Sequence, residues 1–215
     1  DPYHPVMVTN DTLDGIVTHG YRCADILNPD PYSPNPDYVP NFLKKVREVA
    51  RPGQATMLTL WHSSSQAHFT HEWGTAPAYP YRVLRCQYLV GIAYGAVGFT
   101  AYTSAFYLPE VQYRYGLPYV WREIRFLEKA MSAPAPAAPP RVEPAETASW
   151  IRQAGGHLYL ILVNHKPGTR RVKVAHPLLA GVKRLLVASE GREVAVQGGA
   201  LTDTLAEGDA RVYTT

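Results

Sequence analysis

The stretch Gln54–Ser104 constrains the fold most, because it contains a complete succession of strand, loop, helix and strand. An apolar run at 55–62 leads into a long polar loop. A segment with helical apolar spacing follows at 80–93, and a second apolar run returns at 95–104. Two strands joined through a helix lie parallel in one sheet, and parallel strands covered by helices read as near-continuous apolar runs. We therefore predict a βαβ unit, with ligand contacts at the carboxyl ends of its strands.

Two more strands are predicted before this unit, at 5–10 and 22–27, with a brief helix between them at 14–21. The second strand is followed by a turn at Asn28–Tyr32 that is rich in Pro, Asn and Asp. Amphipathic helices are predicted at 40–50 and 118–131. Strand and helix then alternate four times, which makes the predicted class α/β with a (βα)4 arrangement. Four such units are half of a TIM (β/α)8 barrel. A half barrel on its own leaves two sheet edges open, which favours association.

The sequence pattern changes after residue 131. Residues 132–144 form an Ala/Pro-rich segment typical of a semi-rigid linker, and residues 145–215 contain short alternating strands separated by glycine turns. We predict a small antiparallel β-sandwich for 145–215, packed against a TIM-barrel part at 1–131. The predicted strands are 148–153, 157–164, 170–175, 182–188, 193–196 and 210–214.

Composition excludes several classes of function. Of 215 residues, 46% are hydrophobic and 18% are charged, so we expect a globular protein with a hydrophobic core. The net charge is only +3 and the sequence contains no block of Lys or Arg, so no nucleic-acid partner is expected. No run approaches the roughly 18 apolar residues of a membrane span, so no membrane partner is expected. No phosphate loop, dinucleotide fingerprint or serine elbow is present, and no cofactor is predicted. Cys23 and Cys86 are expected as free buried thiols.

Four segments of the first 131 residues together carry a family resemblance. They resemble the last four βα units of a TIM-barrel glycoside hydrolase of the bacterial glycosidase-like kind, and the pattern around Leu201–Tyr213 is similar to the C-terminal β-sandwich of such enzymes. The resemblance implies hydrolysis of an oligo- or polysaccharide by carboxylate acid/base catalysis. It also implies secretion or a periplasmic location. The segments are His4–Asn10, Cys23–Tyr32, Met57–Trp61 and Arg82–Phe99.

The sequence departs from that family pattern in two respects. The family's general acid, a Glu at the end of the fourth strand, would lie before Asp1. The nucleophile, a Glu at the end of the seventh strand, is replaced here by Trp61-His62. The chain starts at Asp1 without Met, so we expect the N-terminal barrel half in the same polypeptide or in a second chain as a partner.

Two carboxylates are the predicted catalytic pair, Asp30 and Glu72. Glycoside hydrolysis requires two carboxyl groups, roughly 5–5.5 Å apart in retaining enzymes and 6.5–9.5 Å apart in inverting ones. Asp30 follows the second strand, and Glu72 lies in the long loop after the third. Their structural alternatives are an Asx turn for Asp30 and a solvated loop acid for Glu72. Asp11 and Glu110 are the other carboxylates near strand ends.

Aromatic side chains near the strand ends are predicted to stack on sugar rings, since Tyr and Trp combine a flat apolar face with a polar edge. Core packing is the alternative for each of them. His62 could hydrogen-bond the substrate. Asn10 ends the first strand and is a further substrate-binding candidate, although Asn10-Asp11-Thr12 also fits a helix N-terminus or a glycosylation acceptor. The stacking candidates are Trp61, Tyr102, Tyr32 and Trp73.

Two other functions stay open at this point. A non-catalytic carbohydrate-binding protein on the same scaffold is favoured by the missing strand-end Glu. A metal-dependent hydrolase could use His62, His68, His71 and Glu72, since His and Glu ligate zinc. Their spacing matches no compact metal motif, and no metal site is predicted.

Overall fold

The fold is taken from a computed structural model, which describes residues 4–10, 12, 24–31, 37–61, 81–102 and 111–215. It is a mixed α/β fold with one parallel sheet and one antiparallel sheet. The bounds of the parallel strands are β1 (Met7–Asn10), β2 (Ile26–Pro29), β3 (Ala55–Trp61) and β4 (Gly98–Tyr102). The described helices are α1 (Tyr38–Val49), α2 (Tyr81–Ala93) and α3 (Val111–Met131).

The parallel sheet has the strand order β1-β2-β3-β4. The predicted parallel pairing within the βαβ unit is confirmed, with β3 and β4 in register from Met57↔Gly98 to Trp61↔Tyr102. The second strand was predicted at 22–27, but β2 extends through Asn28 and Pro29, which had been assigned to a turn. The reason is long-range pairing, because Thr9↔Asn28 and Asn10↔Pro29 are register partners of β1.

The helices cover one face of this sheet. Leu58 and Leu60 of β3 share a core with α2, and Phe99 of β4 packs against Tyr88 with ring centroids 4.9 Å apart. Gly91 allows this close approach, since a Cβ there would lie 2.9 Å from Leu58 Cδ2. Helix α3 was predicted to begin at Pro118 but begins at Val111, and Pro118 lies inside it.

None of the described helices is both long enough and apolar enough to cross a bilayer.

The antiparallel sheet contains eight strands in the order β5-β8-β11-β10-β9-β12-β7-β6. The first four residues of β10 pair with β9 and its last two residues pair with β11. Apolar side chains from distant strands of the order, such as Leu160 of β7 and Val174 of β8, share one core, so the sheet folds over on itself. The bounds are β5 (Arg141–Glu143), β6 (Ala148–Ala154), β7 (His157–Val163), β8 (Arg170–Ala175), β9 (Arg184–Val187), β10 (Arg192–Gln197), β11 (Ala200–Leu205) and β12 (Ala210–Thr214).

Two of these strands were not predicted. Strand β5 lies inside the segment 132–144 that was predicted as a linker, and it pairs with β8 from Arg141↔Ala175 to Glu143↔Lys173. Strand β11 contains Thr202, Asp203 and Thr204, whose polarity hides its strand character. Both strands are fixed by their pairing with β8, which a local sequence pattern does not reveal.

The two sheets share a core through α2 and α3. Strands β6, β7 and β12 turn one set of apolar side chains into the antiparallel sheet and the other set, including Trp150, Ile161 and Val212, onto the helices. The predicted packing of the strand-rich part on the α/β part is therefore observed. Helix α2 lies between the two sheets, and eight of its residues are buried.

A half-buried ion pair crosses this shared core. The Arg85 guanidinium donates to both oxygens of Glu123 at 2.8 and 2.7 Å and also to the Ala210 carbonyl oxygen. It thereby joins α2, α3 and β12. Bidentate pairs of this kind are the stronger ion pairs in proteins.

We predict that Glu123→Gln lowers the free energy of unfolding by about 2–4 kcal/mol, because it leaves the Arg85 charge poorly compensated within the core. Urea unfolding of the chain measures this. The matched control is Glu193→Gln, whose partner Arg184 lies on the surface of the antiparallel sheet. The control is expected to cost less than about 1 kcal/mol. Equal losses in the two variants would contradict the prediction.

Candidate functional site

A row of polar side chains crosses all four parallel strands. The Asn28 Nδ2 group donates to Thr9 Oγ1 at 3.0 Å, and Thr59 Oγ1 donates to Asn28 Oδ1 at 3.1 Å. Thr59 Oγ1 is also hydrogen-bonded to Thr100 Oγ1. These residues, Thr9, Asn28, Thr59 and Thr100, are called the polar ladder below.

The polar ladder lies on the face of the sheet opposite the helices. Leu58 and Leu60 pack on the helix side, so Thr59 between them turns to the other side, as alternation along a strand requires. Phe99 and Thr100 show the same alternation in β4. One layer of the sheet face opposite the described helices is therefore formed by hydroxyl and amide groups.

The hydrogen bonds of the polar ladder have one direction. Because the Thr59 hydroxyl hydrogen is given to Asn28, the hydrogen between Thr59 and Thr100 must come from Thr100. The order of donation is then Thr100, Thr59, Asn28, Thr9. Asn28 is only 2% exposed, and both ends of its amide are bonded, which fixes the amide orientation at the centre of the sheet.

Asp30 lies at the carboxyl end of β2, two residues beyond Asn28. Its backbone N–H donates to the Asn10 carbonyl oxygen at 3.1 Å, which extends the pairing of β1 and β2. The residue is 9% exposed, so this carboxyl group is buried at the rim of the sheet rather than lying in solvent. The structure thus brings Asp30 close to the polar ladder along the strand.

Asn10 ends β1 and makes a local contact. Its Oδ1 accepts the backbone N–H of Thr12 at 2.9 Å and the Thr12 hydroxyl at 3.2 Å. This is the hydrogen-bonding pattern of an Asx turn. The sequence alternatives for Asn10 were a helix N-terminus and a glycosylation acceptor, and its role toward a substrate stays a prediction.

The other predicted site residues are described in part or not at all. Trp61 and Tyr102 are register partners that end β3 and β4, two residues beyond the Thr59↔Thr100 pair. Their side chains lie outside the described part of the structure. Among the described residues, no group of three or more His, Cys, Asp or Glu could hold a metal ion. The predicted residues outside the described ranges are Glu72, Tyr32, His62, Trp73, His68, His71, Asp11 and Glu110.

The polar ladder was not predicted from the sequence. Asn28 had been assigned to a turn, and the hydroxyls of Thr59 and Thr100 had been included in apolar runs. Thr59 and Thr100 are polar residues within strands predicted to be buried, which is the signal that could have revealed them, whereas Asn28 lies outside its predicted strand and gave no such signal. A buried polar group requires a partner, and parallel neighbours can supply one.

A cleft of about 790 Å³ runs along the outer edge of β4 and one face of α3. Within the described ranges, β4 pairs with β3 alone, so its other edge is open. Large apolar residues are exposed there, with Val97 at 56% and Trp121 at 51% of their surface. Val6 and Met7 are likewise exposed beside β1, the opposite edge of the sheet.

Neither the family models nor the curated proteins searched by sequence match this chain. Solved structures do match its fold. A maltogenic α-amylase from Thermotoga neapolitana has a TM-score of 0.55 at 11% identity, over 100% of this chain and 55% of its own. An α-amylase from Geobacillus thermoleovorans, complexed with acarbose, has a TM-score of 0.53 at 11% identity. The match covers 88% of this chain and 53% of the amylase. A GH30 endoxylanase from Clostridium papyrosolvens has a TM-score of 0.53 at 9% identity. The match covers 99% of this chain and 56% of the endoxylanase.

The chain thus spans about half the length of these structures. Their fold includes both sheets of this chain where 99–100% of it is covered. At this level of identity the likeness supports a glycosidase-like fold, and the half barrel followed by a β-sandwich stays a prediction.

We predict that Thr59→Val destabilises the protein by about 1–3 kcal/mol, because the isosteric change leaves Asn28 Oδ1 buried without its donor. Urea unfolding measures the loss. Thr202→Val is the matched control, since Thr202 is exposed on β11, and it should change stability by less than about 0.5 kcal/mol. An equal, small effect in both variants would show that the polar ladder is not a stabilising network.

Proposed function

We propose that this chain is the carbohydrate-binding and catalytic portion of a glycoside hydrolase, formed by the last four βα units of a (β/α)8 barrel and a C-terminal β-sandwich. The observation that carries the proposal is the position of Asp30. It is a buried carboxyl group at the carboxyl end of a parallel strand, beside a polar face, on a scaffold whose solved neighbours are named as amylases and a xylanase. Ligands of open and closed parallel α/β folds bind at that end.

The proposed reaction is hydrolysis of a glycosidic bond in an oligo- or polysaccharide. One carboxyl group protonates the leaving oxygen while the sugar develops oxocarbenium character, and the second carboxylate attacks the anomeric carbon or activates water. Asp30 is assigned one of these roles, or a hydrogen bond to a sugar hydroxyl that strengthens in the transition state. Glu72 is proposed as its partner, and Trp61 and Tyr102 as stacking platforms for the sugar.

The half-barrel arrangement is supported by the two edges of the parallel sheet. Strands β1 and β4 are the outer strands of an all-parallel sheet, and parallel sheets are normally covered on both faces. Exposed apolar residues occur at both edges, Val6 and Met7 beside β1 and Val97 beside β4. We propose that a preceding (βα)4 half, in the same polypeptide or in a second chain, pairs with both edges and encloses the polar ladder.

A second candidate function is carbohydrate binding without hydrolysis on the same scaffold. It is favoured by the sequence at the end of β3, where Trp61-His62 stands in place of the strand-end Glu of the glycoside hydrolases that the chain resembles. Glycan binding by a complete barrel that shows no turnover would select this alternative.

We predict that Asp30→Asn lowers kcat/KM for glycoside hydrolysis at least 100-fold in a polypeptide that carries both barrel halves, because the amide can neither transfer the proton nor carry the charge. Reducing-sugar release measures the rate. The matched control is Asp25→Asn on the other end of β2, where the carboxylate accepts the Val6 N–H at the amino end of the strand. Full activity of Asp30→Asn would remove Asp30 from the mechanism.

We predict that the β4 edge becomes protected when the other barrel half is present. In a Cys23→Ser background, Val97→Cys should react with a thiol reagent in this chain alone and at least tenfold more slowly beside the matching half. Cys86 stays silent, since burial raises the pKa of its thiol to about 12. Leu186→Cys, exposed on β9, is the control whose rate stays the same. Unchanged reactivity of Val97→Cys would contradict the half-barrel arrangement.

A further inference from the structure

The turn between β7 and β8 is held rigidly by one buried residue, Asn164. Its Nδ2 donates to the carbonyl oxygens of Gly168 at 2.8 Å and Leu205 at 3.2 Å, and its Oδ1 accepts the Lys166 N–H at 3.2 Å. The backbone N–H of Asn164 donates to the backbone carbonyl oxygen of Asp209 at 2.9 Å. The conformation of residues 164–168 is therefore fixed by hydrogen bonds within the antiparallel sheet and its turns.

This turn presents two cationic or titratable groups to one carboxylate. His165 Nδ1 lies 2.5 Å from Asp37 Oδ1, and Lys166 Nζ lies 2.8 Å from Asp37 Oδ2. Asp37 immediately precedes α1, the helix that follows β2. The chain enters α1 from the carboxyl end of β2. This contact therefore lies toward the same end of the parallel strands as Asp30.

The protonation state of His165 follows from its contacts. An ionised carboxylate only accepts hydrogen bonds, so Nδ1 carries the hydrogen that it donates to Asp37. The ring is 3% exposed, and its Nε2 has no hydrogen-bond partner among the residues that the structure describes. A second hydrogen on Nε2 would place a buried N–H where no acceptor is available, which opposes the charged form.

The surrounding charges act on the ring in opposite directions. Burial lowers the pKa of His165 below its ordinary value of 6.5, Asp37 opposes this, and Lys166 and Lys44 add to the lowering. For Asp37, burial raises the pKa, but the hydrogen bonds from Lys166 and His165 outweigh it and the pKa is lowered. Both residues therefore favour the pair of neutral imidazole and ionised carboxylate.

We propose that the 164–168 turn is an acid-sensitive clamp, in which the ion pair of Lys166 and the neutral imidazole of His165 hold the N-terminal end of α1 to the antiparallel sheet. His165 and Lys166 are then positioning residues for the helix that follows β2. The proposal goes beyond the proposed hydrolase activity and does not depend on it, because the contacts lie within the described chain.

The direction of the pH dependence follows from linkage. A His whose pKa is lowered in the clamped state binds fewer protons there than in the released state, so the clamp is at full strength above pH 6.5 and weakens as pH falls below it. Asp37 contributes in the same direction at lower pH, since its stabilisation is lost as pH falls below 3.8 toward its lowered pKa.

The test is hydrogen exchange of the first-turn amides of α1, including Asn41, which donates to the Asp37 carbonyl oxygen. Rates at pH 7.5 and pH 5.0 are divided by the intrinsic rates at each pH. In the wild-type chain, protection of these amides should fall at least tenfold between the two values, because the released state takes up a proton on His165 that the clamped state disfavours. Asp37→Asn should lower protection at both values.

The informative variant is His165→Asn, because the Asn amide can donate from the position of Nδ1 but does not titrate. It should keep protection at pH 7.5 and change by less than threefold at pH 5.0. Lys166→Met should weaken protection at both values but keep the pH dependence. Glu193→Gln, on an exposed pair of the same sheet, is the control and should match the wild type.

Two results would overturn the proposal. One is a His165→Asn variant with the same pH dependence as the wild type. The other needs no variant and is an NMR titration in which the His165 imidazole of the wild-type chain protonates above pH 6.5. The second measurement decides the question even where a substitution at this buried site prevents folding.

Discussion

The layer formed by β6, β7 and β12 is the constraint on which the rest of the structure depends, because apolar side chains are buried on both of its faces. Ile151 and Tyr213 pack into the antiparallel sheet, and Trp150 and Val212 pack onto the helices. Such a layer is stable only when something covers each side. The fold of the antiparallel sheet supplies one cover, and α2 with α3 supplies the other.

Helix α2 must likewise be covered on two sides, since it lies between that layer and the parallel sheet. Apolar contacts alone distinguish poorly between neighbouring positions of two packed surfaces, whereas a charge requires a particular partner. The interface contains two such requirements. Arg85 joins α2 to Glu123 of α3 and to β12, and Asp37 joins the start of α1 to Lys166 of the β7–β8 turn. The two ionic contacts lie on different helices and so restrict both translation and rotation of the sheets.

Much of this fold could be predicted from local pattern. The helical spacing at 80–93 and the apolar runs around it specify α2, β3 and β4, because residues near in sequence determine these elements. What failed depends on distant partners. Strand β11 exists through pairing with β8, and the strand character of Asn28 comes from its register with Thr9, nineteen residues earlier. Neither contact leaves a periodicity in the sequence.

The candidate site shows the same division. Asp30 could be selected from its place after a predicted strand, but the polar ladder could not, because its hydrogen bonds join residues 19, 31 and 41 positions apart. Barrel interiors are dominated by branched apolar side chains. Here one layer of the sheet face opposite the described helices consists of hydroxyls and an amide that are hydrogen-bonded to one another. Because these groups are already hydrogen-bonded to one another, the layer can be buried at little cost in free energy, whatever covers it.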